Sequence, residues 1–278
     1  MSNASTRFPH FNWTFSTLGS PELTLQECCA LAKSYGLHSI EARTLEGTAD
    51  LPTLFEDRFG YPSELADYMS EQSVSIDFLD TSLKLFGNDE SSRAEFLEFI
   101  PWAEAMGTKW LRVFDGGDVT DKLSSQAIDG ALETLGWWSY LRSQSGWTVD
   151  MAFETHDALV HGAARNQLFD QVDKAINIIW DAHHTWKKAQ EPIQESWNQL
   201  KGQIVNVHVK DSVSKPSARH PFTYVQLGEG EFPLTETLEL IDGGNFKGNV
   251  SIEWERQWHP YLPPLKTALS KAKELNWF

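Results

Sequence analysis

The sequence predicts an α/β protein built as a (β/α)8 TIM barrel. Three observations lead to this prediction: eight short strand-like segments, a helix-like stretch after each of them, and polar residues at corresponding strand ends. Repeated strand–helix units are typical of parallel sheets, and eight such units close a barrel. The 278 residues suit that size, and no linker or low-complexity stretch divides them. We therefore expect residues 1–278 to form a single domain.

The eight predicted strands are runs rich in β-branched and aromatic residues. In order, they cover residues 11–17, 37–43, 74–80, 109–115, 149–154, 176–181, 204–210 and 250–255. The helix-like stretches that follow them cover residues 21–35, 62–72, 90–106, 123–144, 162–174, 193–200, 234–241 and 263–276. Gly36 and Gly107 come directly after the first and third helical stretches, where glycine commonly ends a helix.

Four of the predicted strands end in residues that can bind a metal ion, namely Glu154, Asp181, His208 and Glu253. Side chains alternate between the two sides of a strand, so each of these residues faces away from its bulky apolar neighbours. In the segment 149–154, for example, Met151 and Phe153 point to one side and Glu154 to the other. The apolar side should pack under the helices, and the polar side should point into the barrel.

A polar side chain inside a barrel must be paired or ligated, because burying it unpaired costs ~2–7 kcal/mol. Structural salt bridges are one way to satisfy these four residues. Four such residues at corresponding strand ends, however, favour a shared site for one divalent cation. The carboxyl ends of barrel strands meet at one face, where such folds keep their chemistry.

Composition limits the class of protein and its partners. The net charge is −16, which disfavours binding to nucleic acid. No run of eighteen apolar residues predicts a membrane span, and residues 1–7 contain no apolar signal core, so we expect a cytoplasmic protein. The only cysteines, Cys28 and Cys29, are adjacent on a predicted helix, which indicates apolar packing and excludes a disulfide framework.

The chain resembles the xylose-isomerase-like TIM-barrel superfamily of sugar isomerases and epimerases, and in particular its ketose 3-epimerase branch. The resemblance extends over most of the chain. Its most specific segments are Phe153-Glu154-Thr155-His156, Trp180-Asp181-Ala182-His183-His184, Val207-His208-Val209-Lys210-Asp211 and Leu227-Gly228-Glu229-Gly230-Glu231-Phe232-Pro233.

The resemblance implies that one divalent metal is bound by the residues at the ends of strands five to eight, which are Glu154, Asp181, His208 and Glu253. It also implies that the two glutamates act as the acid/base pair, and that His184 and Arg219 contact the substrate. Oxygen-rich ligation with one imidazole suits Mn²⁺ first, with Mg²⁺, Co²⁺ or Zn²⁺ as alternatives. Related barrels often pair, so a homodimer is one expected form.

Other polar residues near these strand ends allow two interpretations each. His156 can contact the substrate or be satisfied by a carboxylate. Lys210 can polarise a substrate oxygen or pair with Glu253 or Asp181. For Glu41 and Arg43, we expect an internal ion pair rather than sugar contacts. The glycines of residues 228–230 predict a turn. Trp13, Trp258 and Phe114, near strand ends, are candidates for stacking on a sugar.

The expected function is metal-dependent isomerisation or epimerisation of a keto sugar or polyol. The metal would acidify the carbon next to a carbonyl, and the resulting enediolate would be reprotonated. One alternative keeps the first step but expels a leaving group, as a lyase or dehydratase acting on a keto sugar, 3-keto glycoside or keto-inositol. An apurinic-endonuclease-type phosphodiesterase is disfavoured, because Arg43, Asp80 and Asp115 replace its histidines. A non-catalytic sugar-binding barrel is a further alternative.

Overall fold

The computed structural model describes residues 6–173 and 175–278, which form a nearly closed parallel barrel of eight strands. The barrel strands are β1 Asn12–Phe15, β2 Ser39–Ala42, β3 Ser75–Phe86, β4 Trp110–Gly116, β5 Asp150–Glu154, β6 Ile178–Asp181, β7 Ile204–Val209 and β10 Asn249–Ile252. Their order is β1-β10-β7-β6-β5-β4-β3-β2, and a parallel bridge between Ser16 and Glu41 brings β1 and β2 together. The predicted fold class is therefore confirmed.

Helices surround the barrel. They are α1 Leu25–Tyr35, α2 Leu51–Phe59, α3 Pro62–Glu71, α4 Glu90–Leu97, α5 Ile100–Met106, α6 Ser125–Ser145, α7 Gly162–Phe169, α8 Ala182–Lys188, α9 Ile193–Leu200, α10 Leu234–Gly243 and α11 Leu265–Glu274. Local chemistry sets their ends. The α1 helix, for example, begins after Thr24, which forms a capping box with Glu27, and it ends at Gly36 in the left-handed conformation.

The structure differs from the predicted elements in several places. The predicted helix 90–106 is two helices, α4 and α5, because Pro101 in the first turn of α5 starts a new helix. Helix α7 ends at Phe169, and residue 174, the predicted end of that stretch, lies outside the described residues, as do residues 1–5. The sequence-based prediction missed helices α2 and α8, and the strand β3 extends to Phe86.

The loop after β7 also contains structure that the sequence did not predict. Strands β8 Asp211–Val213 and β9 Thr223–Val225 pair antiparallel within it and form a hairpin. This hairpin follows β7 directly, so it lies over the end of the barrel at which β7 finishes. It therefore covers part of the face to which the candidate ligands point.

Two apolar clusters agree with the predicted alternation of side chains between the two sides of each strand. Met151 and Phe153 belong to the large cluster between barrel and helices, whereas Ala152 and Ile179 form a small separate cluster with Phe78. This small cluster fills the lumen below the polar strand ends. None of the helices described here is long and apolar enough to cross a membrane.

Candidate metal centre

Four side chains from consecutive strands of the barrel converge at its carboxyl end. Glu154 ends β5, Asp181 ends β6, His208 lies near the end of β7, and Glu253 follows β10. One ligand atom from each of the four lies within 4.8 Å of the others. All four residues are buried, with Glu253 the most accessible at 6% exposure. The pattern that predicted the site therefore corresponds to a real cluster in space.

The local structure around Asp181 fixes the direction of its carboxylate. Asp181 is both the last residue of β6 and the N-cap of α8, and its Oδ1 accepts a hydrogen bond from the His184 backbone N–H at 2.7 Å. The other oxygen, Oδ2, lies on the side of the cluster, 2.7 Å from Lys210 Nζ and 3.0 Å from His184 Nδ1. A strand that runs directly into a helix thus provides a carboxylate with one oxygen held by the helix and the other turned to the cluster.

His208 is oriented by a partner on the opposite side of the barrel. Its Nε2 lies 2.8 Å from Glu41 Oε1, and Asn206 donates to the other oxygen of Glu41 at 3.2 Å. The second ring nitrogen, Nδ1, lies 3.6 Å from Glu154 Oε1 and 3.3 Å from Glu253 Oε2. Burial alone would lower the pKa of His208, but Glu41 and Glu253 outweigh it and hold that pKa well above its usual value.

Lys210 is a buried cation within the same cluster. Its Nζ lies 2.7 Å from Asp181 Oδ2 and 2.8 Å from Glu255 Oε1, and it also pairs with Glu253. Burial would lower the pKa of Lys210, but these three carboxylates raise it well above its usual range. Of the two interpretations of Lys210, the structure therefore shows the ion pairs, and they include both carboxylates that the sequence named.

The residues of this cluster fit a divalent cation. Glu154 Oε2 and His208 Nδ1 are both buried, and neither has a hydrogen-bond partner among the described residues. Asp181 Oδ2 lies 2.7 Å from the Lys210 ammonium group. Leaving a buried polar group unsatisfied costs about 1–3 kcal/mol, so two such atoms within one cluster of carboxylates indicate a missing ligand. Negative charge also exceeds positive charge here, because five buried carboxylates surround His208 and Lys210: Glu41, Glu154, Asp181, Glu253 and Glu255.

Two further histidines lie beside the four converging residues. Ligand atoms of Glu154, His156 and His184 come within 4.8 Å of one another, and the two imidazole rings pack edge to face at 4.7 Å. Burial lowers the pKa of His184 well below its usual value, whereas Asp157, 2.8 Å from His156 Nδ1, more than offsets burial and raises the pKa of His156. These neighbours therefore differ in their tendency to carry a proton.

Arg219 lies away from this cluster. It is exposed on the loop between β8 and β9, where its guanidinium lies 5.5 Å from the ring centroid of Trp258. Tyr224 of β9 lies closer, because its hydroxyl is 3.4 Å from both His184 Nε2 and Glu255 Oε1. No pattern in the sequence points to Tyr224, since its position depends on how the hairpin folds over the barrel.

The prediction of an ion pair between Glu41 and Arg43 is wrong. Glu41 instead pairs with His208, and Arg43 donates to the Asp80 carbonyl oxygen and to Ser82 Oγ, each at 3.1 Å. The two residues share the inner side of the barrel, but Glu41 lies one layer lower. The imidazole of His208 lies within hydrogen-bond distance of Glu41, so Glu41 pairs with His208 and not with Arg43.

The predicted turn at residues 228–230 is held by an aspartate. Asp211 accepts hydrogen bonds from the backbone N–H groups of Gly228 and Gly230, both at 2.9 Å, and from Phe232 at 3.2 Å. The amide groups of this turn are thus already satisfied by a carboxylate. This arrangement joins the turn to the hairpin that covers the site.

Comparison with known proteins places this geometry in a family. A family model described as a xylose isomerase-like TIM barrel matches residues 29–277. No curated protein matches the chain in sequence.

Several solved structures share the fold at low sequence identity. The probable 3-DHS dehydratase AsbF from Bacillus anthracis, described as involved in petrobactin synthesis, superposes with a TM-score of 0.76 at 17% identity, covering 95% of this chain and 99% of that one. The IOLI protein with a bound zinc atom gives 0.74 at 18% identity, covering 95% and 96%. A D-tagatose 3-epimerase-like protein gives 0.64 at 18% identity, covering 95% and 99%.

Proposed function

From the premise that this chain belongs to the xylose isomerase-like TIM-barrel family, we propose that it is a metal-dependent isomerase or epimerase of a keto sugar or polyol. The observation that supports this most directly is the convergence of Glu154, Asp181, His208 and Glu253 within 4.8 Å. These four residues would hold one divalent cation, with Mn²⁺ first among the candidates. The family, the two buried atoms without hydrogen-bond partners among the described residues and the excess of carboxylates support the same proposal.

In this proposal the protein moves a proton on a carbon next to a carbonyl group. Glu154 and Glu253 come from the outer two of four consecutive strands, so they stand on opposite sides of the cluster. One carboxylate removes the proton, and the other returns a proton to the opposite face of the same carbon or to its neighbour. A cation held by the four residues would supply electrostatic stabilisation of negative charge that develops on the carbonyl oxygen.

The remaining residues orient these groups. Lys210 holds Glu253 and Asp181 in place, and Glu41 keeps His208 turned towards the centre. Tyr224 and the hairpin that carries it cover the site, which limits access of water to a carbanion-like intermediate. His184 is buried beside Asp181 with a low pKa, so it offers a neutral imidazole to the substrate.

Proton exchange in D₂O tests this function. The Mn²⁺-loaded protein is incubated with D-fructose, D-tagatose, a keto-inositol, a 3-keto glycoside and keto acids, and NMR follows loss of the C–H signal beside the carbonyl. We expect metal-dependent exchange in at least one compound. Glu154→Gln and Glu253→Gln should slow that exchange by ~10²–10⁴-fold. The surface variant Glu239→Gln is the matched control, because Glu239 is exposed and pairs with Arg7 on the surface.

Either of two outcomes would contradict the proposal. One is near-normal exchange in a glutamine variant that still binds the cation. The other is no metal-dependent exchange with any compound of the panel, which would favour a non-catalytic sugar-binding barrel.

A lyase or dehydratase is a second candidate, because His156 is placed to act as an additional proton donor. It lies beside Glu154 and His184, is only half-buried, and its pKa is raised by Asp157. Such a group can protonate a departing hydroxyl after the shared first step. The similarity in fold to a probable 3-DHS dehydratase is compatible with this candidate.

The same NMR experiment separates the two candidates. An isomerase or epimerase returns label to the carbon of a recovered sugar, whereas a lyase consumes the sugar and releases water or an alcohol. For a lyase, His156→Gln should abolish release while exchange continues. For an isomerase, the same variant should leave the product spectrum unchanged.

A further inference from the structure

A second group of buried charges lies next to the metal centre and is not used by the proposed proton transfer. Arg112 on β4 is 3% exposed and Arg43, directly after β2, is 7% exposed. Both guanidinium groups approach the ring of Phe114, with centroid distances of 3.7 Å for Arg112 and 5.9 Å for Arg43. Two cationic groups are thus buried together on one side of the barrel mouth.

Arg112 lacks the hydrogen bonds that a buried arginine normally makes. Its Nε and Nη1 are buried, and neither has a hydrogen-bond partner among the described residues. Its nearest carboxylates are Glu154, 3.6 Å from Nε, and Asp80, 3.7 Å from Nη2, and both separations exceed hydrogen-bond length. Asp80 Oδ1 is likewise buried without a partner. Arg112, Arg43 and Asp80 therefore form a buried polar layer in which some hydrogen-bonding groups have no partner among the described residues.

Arg43 differs from Arg112, because two of its guanidinium nitrogens donate hydrogen bonds to the protein. They bind the Asp80 carbonyl oxygen and Ser82 Oγ. Arg43 therefore contributes positive charge to this layer, while Arg112 contributes both charge and free donors. Glu154 cannot neutralise Arg112 fully if it also ligates the cation, which leaves Asp80 as the other carboxylate near the Arg112 guanidinium group.

We propose that the keto sugar or polyol taken by this site also carries a carboxylate, which Arg112 binds beside the carbon at which Glu154 and Glu253 move protons. This inference rests on the proposed function and names the class of its substrate. A monoanion balances the second guanidinium group, and a planar carboxylate matches guanidinium donors. A phosphate dianion would bring more negative charge against Asp80 and Glu154. The hydroxyl groups of a neutral sugar would accept hydrogen bonds but leave the charge uncompensated.

Binding of acids and their esters tests the substrate class. Isothermal titration of the Mn²⁺-loaded protein compares shikimate and quinate with their methyl esters, which replace the carboxylate charge by a methyl group, and with D-fructose as a neutral ketose. At least one acid should bind 10-fold or more tightly than its ester. In Arg112→Gln this preference should disappear while the affinity for the ester stays the same. Arg112→Lys, which keeps the charge, should retain part of the preference.

The matched control is Arg58→Gln, because Arg58 is exposed and pairs with Glu46 far from the barrel mouth. It should leave every affinity unchanged. The proposal is overturned if no acid binds more tightly than its ester, or if Arg112→Gln folds and keeps the preference. If the variants do not fold, the affinities of the wild-type protein for acid and ester alone decide whether the site prefers a carboxylate. Binding is measured without turnover. Absence of proton exchange would therefore refute the proposed function, while the affinities for acid and ester would still test the binding of a carboxylate.

Discussion

The imidazole of His208 on β7 and the carboxylate of Glu41 on β2 face each other across the barrel, with Nε2 and Oε1 2.8 Å apart. This contact sets which ring nitrogen points to Glu154 and Glu253. Histidines that ligate metals usually donate their other N–H to a carboxylate or carbonyl group, which fixes the ring. The pair therefore leads directly to a prediction about cation affinity.

Glu41→Gln should weaken binding of Mn²⁺ by ~10–100-fold, because the amide can still accept from His208 but carries no charge to polarise the ring. Isothermal titration of the metal-free protein measures the affinity. Glu239→Gln on the surface should bind the cation as the wild type does. An unchanged affinity in Glu41→Gln would show that the contact does not support a metal ligand.

Removal of the cation should lower thermal stability. A cation present at 100 times its dissociation constant adds about 2.7 kcal/mol to the free energy of unfolding, so chelation should reduce the melting temperature. Asp181→Asn should abolish this response. Asparagine keeps the oxygen that caps α8 at the His184 N–H, so the variant tests the charge of Asp181 while preserving the helix start. Differential scanning calorimetry with and without Mn²⁺ measures both effects, and a full response in Asp181→Asn would contradict the ligand assignment.

Gly230→Ala should destabilise the protein by ~1–3 kcal/mol, the usual effect of inserting a methyl group into a packed site. A Cβ at Gly230 would overlap Asp211 Oδ1 and the Ser212 carbonyl oxygen, which are the groups that hold the hairpin beside the site. Gly202→Ala is the matched control, since a Cβ there would meet nothing within 4 Å. Urea unfolding of both variants makes the comparison. Equal midpoints would show that the turn tolerates a side chain.

The Cys28 thiol should be unreactive in the folded protein. Burial raises the pKa of Cys28 to about 12, and neither Cys28 nor Cys29 is exposed. Because the thiolate is the reactive form, a disulfide reagent at pH 8 should label neither cysteine until the protein is unfolded, when it should label both. Rapid labelling of a folded sample would show that α1 opens readily.

The same thiol predicts a pH dependence of stability. Between pH 9 and 12 the folded protein keeps the Cys28 proton, whereas the unfolded chain loses it, since its ordinary pKa is 9.0. The unfolded state therefore binds fewer protons, and the free energy of unfolding should fall with rising pH by up to about 1.4 kcal/mol per unit. Cys28→Ala should show a shallower decline over that range. The difference between the two slopes cancels the titration of other groups, and parallel slopes would contradict the prediction.

Local signals explain which elements could be predicted and which were missed. Alternation along β5, β6, β7 and β10 correctly separated the side chains under the helices from those in the lumen. Asp50 and Pro52 mark the start of helix α2, so a local signal was present there that the predicted elements do not include. Helix α8 was missed because its N-cap is Asp181, which already completed a predicted strand.

The sequence by itself determined the barrel, the family resemblance and the four residues that converge at one end, because strand alternation and strand–helix repetition are properties of neighbouring residues. Tertiary structure alone decided which side chains contact one another at the site. Barrel closure brings Glu41 to His208 over a sequence separation of 167 residues, places Tyr224 above the site, and leaves Arg112 buried without a hydrogen-bond acceptor among the described residues. Such contacts depend on which layers of the barrel face each other, and no local pattern in the chain encodes that information.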